Sequence, residues 1–462
     1  MNSIQLSSAF CSHNGVVILD DNTDITRIGM LRVSDNVLKK RIQKSYPDRK
    51  FHFESIDTET FNLKISRFFS ANTDITVAST IENRKDHDRS YKDSDIDRLD
   101  EDAPLINLLN SIFLEAIARR ASDIHIEGEQ VYARIRFRID GLLVNILKIP
   151  CDRAVALSSR LKLLSNLNVL ENRKPQDGRI DIVSGGNALD VRISISPTVC
   201  GESIVLRLLN RSDRPLTLGD LGFCETHLRN IKEILQVSSG LVLVTGPTGS
   251  GKTTTLAAIL RELNKEGTKI ISIEDPVEYR IEGVTQVQIN EELGLTFDAL
   301  LRRVFRQDPD IIMIGEIRDI QTAELAIRAA LTGHLVFATL HTNSAIDTII
   351  RLQDMGIPPY LVASTLRAVI GQRLVRRICL ECVGKGCTKC NSTGYRGRIV
   401  IAEIAQITKE LSGKISENSS STELEKVFMK NKYLSIREDA ENKINLSLTT
   451  REEVFSELGI VL

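Results

Sequence analysis

Charge of one sign is what this 462-residue chain most lacks. Its 60 lysines and arginines face 61 aspartates and glutamates, a formal net charge of -1. No global field draws it to nucleic acid or to an anionic membrane, although local basic patches stay open. Long hydrophobic runs are missing too. No stretch approaches the ~18 apolar residues that cross a bilayer, and the longest runs, such as Ile311 to Ile314, read as buried strands. The opening residues, MNSIQLSSAFCSHNGVVILDD, lack a basic start, an apolar core and a small-residue cleavage site. They do not read as a signal peptide. No internal repeat is found, and no low-complexity tract beyond one charged segment. What remains is an ordinary globular composition, 42% hydrophobic and 26% charged, long enough for two or three domains. Any membrane attachment is expected through a protein partner or the surface.

The charged segment runs from Glu82 to Asp102, ENRKDHDRSYKDSDIDRLDED. It cannot bury a core and reads as a flexible linker. It separates a small N-terminal module, 1–81, from an α+β region, 103–212. That region opens on PLINLLNSIFLEAIARR, apolar at helical spacing with Pro104 at its start. Strand-like runs follow at Ile124 to Ile126 and Val131 to Ile139, then a helical stretch from Ala154 to Leu170. A strand pair carries Arg192 and Arg207 and turns at SPTVCGES. From 213 to 462 short apolar strands alternate with helical segments: Leu241 to Thr245, Lys269 to Ile273, Ile311 to Ile314, Leu335 to Leu340. That alternation predicts an α/β domain with a parallel-rich sheet wrapped by helices.

Gly246-Pro247-Thr248-Gly249-Ser250-Gly251-Lys252-Thr253 matches G-x-x-x-x-G-K-[ST]. It follows the strand GLVLVT and opens the helical stretch TTTLAAILREL, with Thr254 next in line. The glycines let backbone N–H groups close around phosphate oxygens, and the helix start adds positive potential. Lys252 is expected to reach the β- and γ-phosphates of ATP, and Thr253 to hold Mg²⁺. Ligands of open parallel sheets sit at the carboxyl ends of strands. DIIMIGE puts Glu316 at that end and Asp310 at the other, roughly 20 Å away if extended. Glu316 is therefore the expected general base or water-orienting residue. Asp310 is expected to cap or pair locally, with Arg306 as one candidate. In KIISIEDPVEY, Glu274 and Asp275 emerge beside the phosphates, and one of them is expected to act on Mg²⁺ through water; Glu278 is more ambiguous. In HLVFATLHTN, His341 ends its strand near the phosphates, where it can sense the γ-phosphate. His334 begins the strand and reads as structural.

Eight cysteines are present, and four of them, Cys379-x2-Cys382-x4-Cys387-x2-Cys390, form two C-x-x-C knuckles. Four thiolates make a closed tetrahedral set suited to structural Zn²⁺, and soft sulfur disfavours Mg²⁺ or Ca²⁺; an Fe–S cluster and unligated thiols are the other readings. Glycines in Val383-Gly384-Lys385-Gly386 make so tight a loop possible.

Taken together, these motifs resemble the secretion-superfamily traffic ATPases, above all the type II secretion ATPases and the type IV pilus assembly ATPases. The matching stretches are ASDIHIE, PQDGRI, GPTGSGKTTT, SIEDPVEY, RQDPDIIMIGEIRD, TGHLVFATLHTN and GYRGR, in the family's order. The resemblance implies a RecA-like P-loop motor domain preceded by a PAS-like α+β domain and a small N-terminal module. It implies a hexameric Mg-ATP-driven motor, cytoplasmic and peripheral to the inner membrane, docked on a membrane platform protein. By analogy, the N-terminal module meets the cytoplasmic domain of a membrane partner. It assigns nucleotide-contacting arginines by position: Arg192, Arg207, Arg302 and Arg306, the last two at i,i+4 spacing on one helix face. The cysteine knuckles depart from the family, whose members usually carry a longer insertion between them. A retraction ATPase of the same superfamily, a nucleotide-gated scaffold and a DNA-translocating motor are the other readings. The N-terminal module and cysteine knuckles, the pair Lys252 and Glu316, and the near-neutral charge argue against them in turn.

Overall fold

The computed structural model describes residues 15–21, 25–31, 33, 36–45, 50–57, 75–78, 94–184, 187–210, 216–430 and 433–459. The chain divides into two compact units, Met1–Ser212 and Asp213–Leu462.

The first unit begins with a three-stranded sheet of β1 (Val16–Asp21), β2 (Ile25–Met30) and β3 (Lys50–Ser55). β1 and β2 run antiparallel. β2 and β3 run parallel, so the chain must cross over between them. Helix α1 (Asn36–Ser45) makes that crossover and lays Leu38 and Ile42 against Val16, Ile28 and Met30.

The next helix, α2, spans Ser94–Ala118. The charged segment therefore does not stay linker to residue 102: its last part, 94–102, is helical, while 82–93 lie outside the described residues. Pro104 sits inside the helix rather than opening it. Leu109, Ile112, Phe113 and Ala116 bury the helix's far half and hold it in place. That burial outweighs the one backbone hydrogen bond that Pro104 forfeits.

α2 covers a seven-stranded antiparallel sheet, ordered β4-β8-β9-β10-β5-β6-β7. The strands are β4 (Ile75–Ala78), β5 (Ala121–Gly128), β6 (Tyr132–Ile139), β7 (Leu142–Pro150), β8 (Gln176–Ser184), β9 (Asn187–Thr198) and β10 (Gly201–Asn210). Along β6 the side chains alternate. Ala133, Ile135 and Phe137 are buried, and Arg134, Arg136 and Arg138 take the other face. Helix α3 (Cys151–Leu164) packs on the apolar face through Leu157 and Leu161. The apolar stretch expected to stay helical to Leu170 ends at Leu164, where Ser165 caps it.

The second unit opens with α4 (Glu225–Ile234) and is built on a sheet ordered β13-β12-β14-β15-β11-β16-β17. These strands are β11 (Gly240–Thr245), β12 (Ile270–Glu274), β13 (Thr285–Gln288), β14 (Ile311–Ile314), β15 (Leu335–Leu340), β16 (Leu366–Ile378) and β17 (Tyr395–Gln406). All neighbours are parallel except β16 and β17, which form a long antiparallel pair. The central strands are buried on both faces, so they read as unbroken apolar runs rather than alternating ones. Helices α5 (Lys252–Leu263), α6 (Phe297–Val304), α7 (Ile320–Leu331), α8 (Ala345–Asp354) and α9 (Pro359–Thr365) wrap the sheet. Four more, α10 (Lys409–Ser416), α11 (Ser421–Lys430), α12 (Ile436–Asn445) and α13 (Arg451–Leu458), follow β17.

Phe337, in the middle of β15, is fully buried among Val242, Val244, Leu256 and Ile370. Phe337→Ala is expected to destabilise the second unit by ~3–5 kcal/mol, the transfer and cavity cost of a buried aromatic ring. Urea unfolding checks this, and a loss below about 1 kcal/mol would contradict the packing described.

Candidate nucleotide-hydrolysis site

The phosphate-binding loop leaves the carboxyl end of β11 and runs straight into α5. Gly246 has φ +147°, and a Cβ there would stand 2.4 Å from the Gln372 carbonyl oxygen and 2.6 Å from Ser250 Oγ. No side chain fits. Pro247, Thr248 and Gly249 are exposed at the loop's crest; Ser250 is buried beneath it. Lys252 is 8% exposed, and its Nζ donates to the carbonyls of Gly246 (2.9 Å) and Pro247 (3.0 Å). Burial brings its ammonium pKa down to about 8, and the charge of Glu316 opposes that shift. Thr253 follows on the first turn of α5, and the Thr254 hydroxyl lies 3.1 Å from Tyr279 OH.

Glu316 lies two residues past the end of β14, and His341 one residue past β15, the strand between β14 and β11. Their side chains converge, with His341 Nε2 3.5 Å from Glu316 Oε2. Arg318 closes the group: it pairs with Glu316 and lies 3.7 Å from Asp275 Oδ2. Burial and then the charge of Lys252 lower the His341 pKa, with Glu316 pulling the other way. Of the two acidic residues after β12, Asp275 joins this cluster. Glu274 is 5% exposed, held by hydrogen bonds from Ser272 Oγ (2.6 Å) and Gln286 Nε2 (2.9 Å), and burial raises its pKa. Asp310 accepts from the Lys269 amide at 2.7 Å, a local cap at the strands' other end. His334 Nδ1 is 3.0 Å from the Ala329 carbonyl at the end of α7.

Two contributors went unnoticed in the sequence. Arg318 is announced only by its position two residues after Glu316. Gln372, fully buried on β16, has no local signal at all. It accepts from the Thr255 hydroxyl (2.9 Å) and donates to the Ser250 carbonyl (2.7 Å), gripping the loop and its helix together. Beside it, the buried Arg373 donates to the Asn343 carbonyl at 3.0 Å, tying β16 to the loop that carries His341.

The arginines divide. Arg302 is held by Asp298, one turn back on α6, at 2.9 Å. Arg306 does not share its helix face, because α6 ends at Val304 and Phe305 caps it. Asp308, at φ +51°, and Pro309 turn the chain there into β14. Arg192 and Arg207 belong to the first unit. In its sheet Arg179, Arg192 and Arg207 stand directly opposite one another on β8, β9 and β10. The row continues through Asp123, 3.2 Å from Arg207, to Arg138. The three arginines line a groove of about 420 Å³ together with Asp177 and Ser194. The PQDGRI stretch pointed to this strand but not to Arg179 itself.

The cysteines of the knuckle sit between β16 and β17, and none is in a disulfide. Sulfur separations are 3.9 Å for Cys379–Cys387, 3.7 Å for Cys382–Cys390 and 3.7 Å for Cys387–Cys390. A tetrahedron with metal–sulfur bonds of ~2.3 Å has sulfur–sulfur edges of ~3.8 Å. Amides of Gly386 and Cys387 donate to Cys382 Sγ (3.2 Å) and Cys390 Sγ (3.1 Å), as they do around thiolates. Gly386 has φ +89°, and a Cβ there would meet the Ser392 carbonyl at 2.9 Å, so the short loop needs its glycine.

Known proteins are similar to this chain in sequence and fold. The family described as type II/IV secretion system protein matches residues 98–456. The type II secretion system protein E of Aeromonas hydrophila is 44% identical over 77% of this chain and 76% of its own length. The type IV pilus assembly ATPase PilB of Myxococcus xanthus is 39% identical over 96% of this chain and 81% of its own. Among solved structures, the ATPase DotB of Legionella pneumophila shares the fold at 24% identity, with a TM-score of 0.61 over 75% of this chain and 94% of its own. The pilus retraction motor PilT, solved with ADP, is 30% identical, with a TM-score of 0.55 over 75% of this chain and 95% of its own. A match over most of the chain, a RecA-like sheet and a phosphate loop facing a carboxylate make this chain a member of the type II/IV secretion system protein family.

Proposed function

We propose that this chain is an ATP-hydrolysing motor that powers assembly of pilin-like subunits, in type II secretion or type IV pilus biogenesis. The observation that carries the reading is Glu316. It stands at the carboxyl edge of the sheet, within the electrostatic reach of Lys252 and held between Arg318 and His341. Lys252 neutralises charge on the transferring phosphoryl group as it leaves the Gly246 and Pro247 carbonyls. Glu316 orients the attacking water and takes its proton. Arg318 fixes the carboxylate's direction, and His341 reports on the γ-phosphate through Glu316. Mg²⁺, held by Thr253 with Asp275 or Glu274 acting through water, would neutralise the β- and γ-phosphate oxygens.

The arginine row supplies the charge that the motor unit lacks. Like charges directly opposite across strands destabilise a sheet, and an anion in the groove offsets that cost. We assign Arg192 and Arg207 to the nucleotide's phosphates, delivered when rings close, most simply as hexamers. Arg302 and Arg306 serve there as secondary cations. The hinge read on the sequence around 210–220, between domains at 103–212 and 213–462, lies in part outside the described residues. Among the described residues no helix is long and apolar enough to cross a membrane. We place the protein in the cytoplasm, with residues 1–81 docking to the cytoplasmic domain of a membrane partner and the motor resting on a platform protein. Cys379, Cys382, Cys387 and Cys390 hold structural Zn²⁺, which the sulfur spacing fits.

Lys252→Ala is expected to abolish ATP hydrolysis. Glu316→Gln should keep nucleotide binding and lower kcat by ~10²–10⁴-fold, the usual worth of a general base. Steady-state turnover beside fluorescent-nucleotide binding tests both, and a Glu316→Gln variant at the parent rate refutes the assignment.

Arg207→Ala should bind ATP and lose hydrolysis by ~10³-fold, the scale of a missing arginine finger. Specific activity should rise with protein concentration as rings form, read against mass in solution. A monomer with full, concentration-independent activity contradicts this.

The Cys379→Ser/Cys382→Ser double variant should carry one zinc ion fewer per chain than the parent and be less stable, with its phosphate-loop chemistry intact. Elemental analysis of purified protein decides it, and an unchanged zinc content rules the assignment out.

A further inference from the structure

The second unit holds a buried group of polar side chains that the nucleotide site does not use. Cys224, His227 and Asp439 each present one donor atom, and these atoms all lie within 4.8 Å of one another. Cys224 is the N-cap residue of α4 and His227 lies in its first turn, while Asp439 comes from α12 near the other end of the unit.

His227 is 1% exposed, and neither ring nitrogen has a hydrogen-bond partner of ordinary geometry. The Leu434 carbonyl comes near enough only to favour the charged ring, against a burial that favours the neutral one. Asp439 is fully buried, and its Oδ1 has no partner either. Folded interiors leave few such atoms, because each loses its water without replacement. Here they are gathered in one place and converge with a thiol.

The other carboxylate oxygen is fully engaged. Asp439 Oδ2 accepts from the Ala402 amide (2.9 Å) and from Lys443 Nζ (2.6 Å), and Lys443 also donates to the Val400 carbonyl (2.5 Å). These bonds hold the carboxylate rigidly and leave Oδ1 open, the arrangement found behind a ligating carboxylate. His227 Nδ1 lies 4.0 Å from Asp439 Oδ2, so ring, carboxylate and thiol face one point, their donor atoms all within 4.8 Å of one another. Among the described residues Lys443 is the one charge standing against a cation, and its ammonium is already committed to Oδ2 and Val400. Burial pushes the Cys224 thiol up, and the amides of His227 and Thr226 at the start of α4 pull the other way.

We propose that Cys224 Sγ, His227 Nδ1 and Asp439 Oδ1 bind a second transition-metal ion of the zinc class. A sulfur, a nitrogen and an oxygen suit borderline-soft Zn²⁺ and disfavour the hard Mg²⁺ that serves ATP. The ion ties the first α-helix of the second unit to α12, and so fastens the two ends of the motor unit to each other.

The test is zinc stoichiometry on the full chain, loaded with zinc, desalted and analysed by plasma mass spectrometry. The parent is expected to hold two ions per chain. His227→Gln and Cys224→Ser should each hold one, and Cys379→Ser/Cys382→Ser should keep one. Loaded with Co²⁺, that double variant should still show a cobalt–thiolate absorption band, and adding Cys224→Ser should remove it. Cys224→Ser keeps an N-cap oxygen, so it decides the matter where His227→Gln does not fold. A folded Cys224→Ser chain with the parent's zinc content, or a double variant with no cobalt–thiolate band, overturns the proposal. Zinc lost from Cys224→Ser but retained in full by the double variant would uphold this site and remove the knuckle's.

Discussion

The hydrogen bonds that join β12, β14, β15, β11 and β16 in one parallel sheet give these strands a common direction, and so bring their carboxyl ends to one edge. The chemistry of the second unit depends on that edge. Asp275, Glu316, His341, the phosphate loop and Gln372 come from five separate stretches of chain, and none is brought near the others by sequence. All but Gln372 need only to stand just beyond the right strand end, and Gln372 follows Gly371, which pairs with the end of β11. A fully buried sheet then fixes the spacing, because a register shift by one residue would send every side chain into the opposite core, packed for a different one.

This explains how much could be read in advance. The P-loop, Glu316 and His341 follow apolar runs that can be only buried strands, so strand polarity alone orders them. Arg318 is also next to such a run, yet arginines at strand ends are common and nothing local sets it apart. Gln372 lies inside a 13-residue strand whose middle mixes glycine, glutamine and arginine, and its partners are Ser250 and Thr255. Only the pairing of β16 with β11 shows what it does. Helix α2 starts at Ser94, inside a stretch whose polarity alone reads as linker, and its apolar second half anchors it. The pairing of Arg302 with Arg306 failed for the opposite reason, since i,i+4 spacing means nothing once Asp308 and Pro309 have ended the helix.

The first unit follows a different logic. Its sheet is antiparallel, with one face packed under α2 and α3, so the other face can carry charge. Arg179, Arg192 and Arg207 occupy neighbouring positions there, and Asp123 is the one acid in the row before Arg138. A sheet built for stability alone would alternate the signs. Three like charges in direct register gather a local positive patch that the nearly neutral composition conceals.

Gln372 grips the phosphate loop, and only seven residues further along the same backbone Cys379 begins the cysteine knuckle, one residue after β16 ends at Ile378. The path between them is about 23 Å of strand at ~3.3 Å per residue, zipped to β17 along nearly its whole length. Such a ribbon bends poorly and stretches hardly at all. A displacement of the Gly246–Thr253 loop would therefore carry along β16 to the knuckle with little loss, the way a rocker arm carries motion past a bearing.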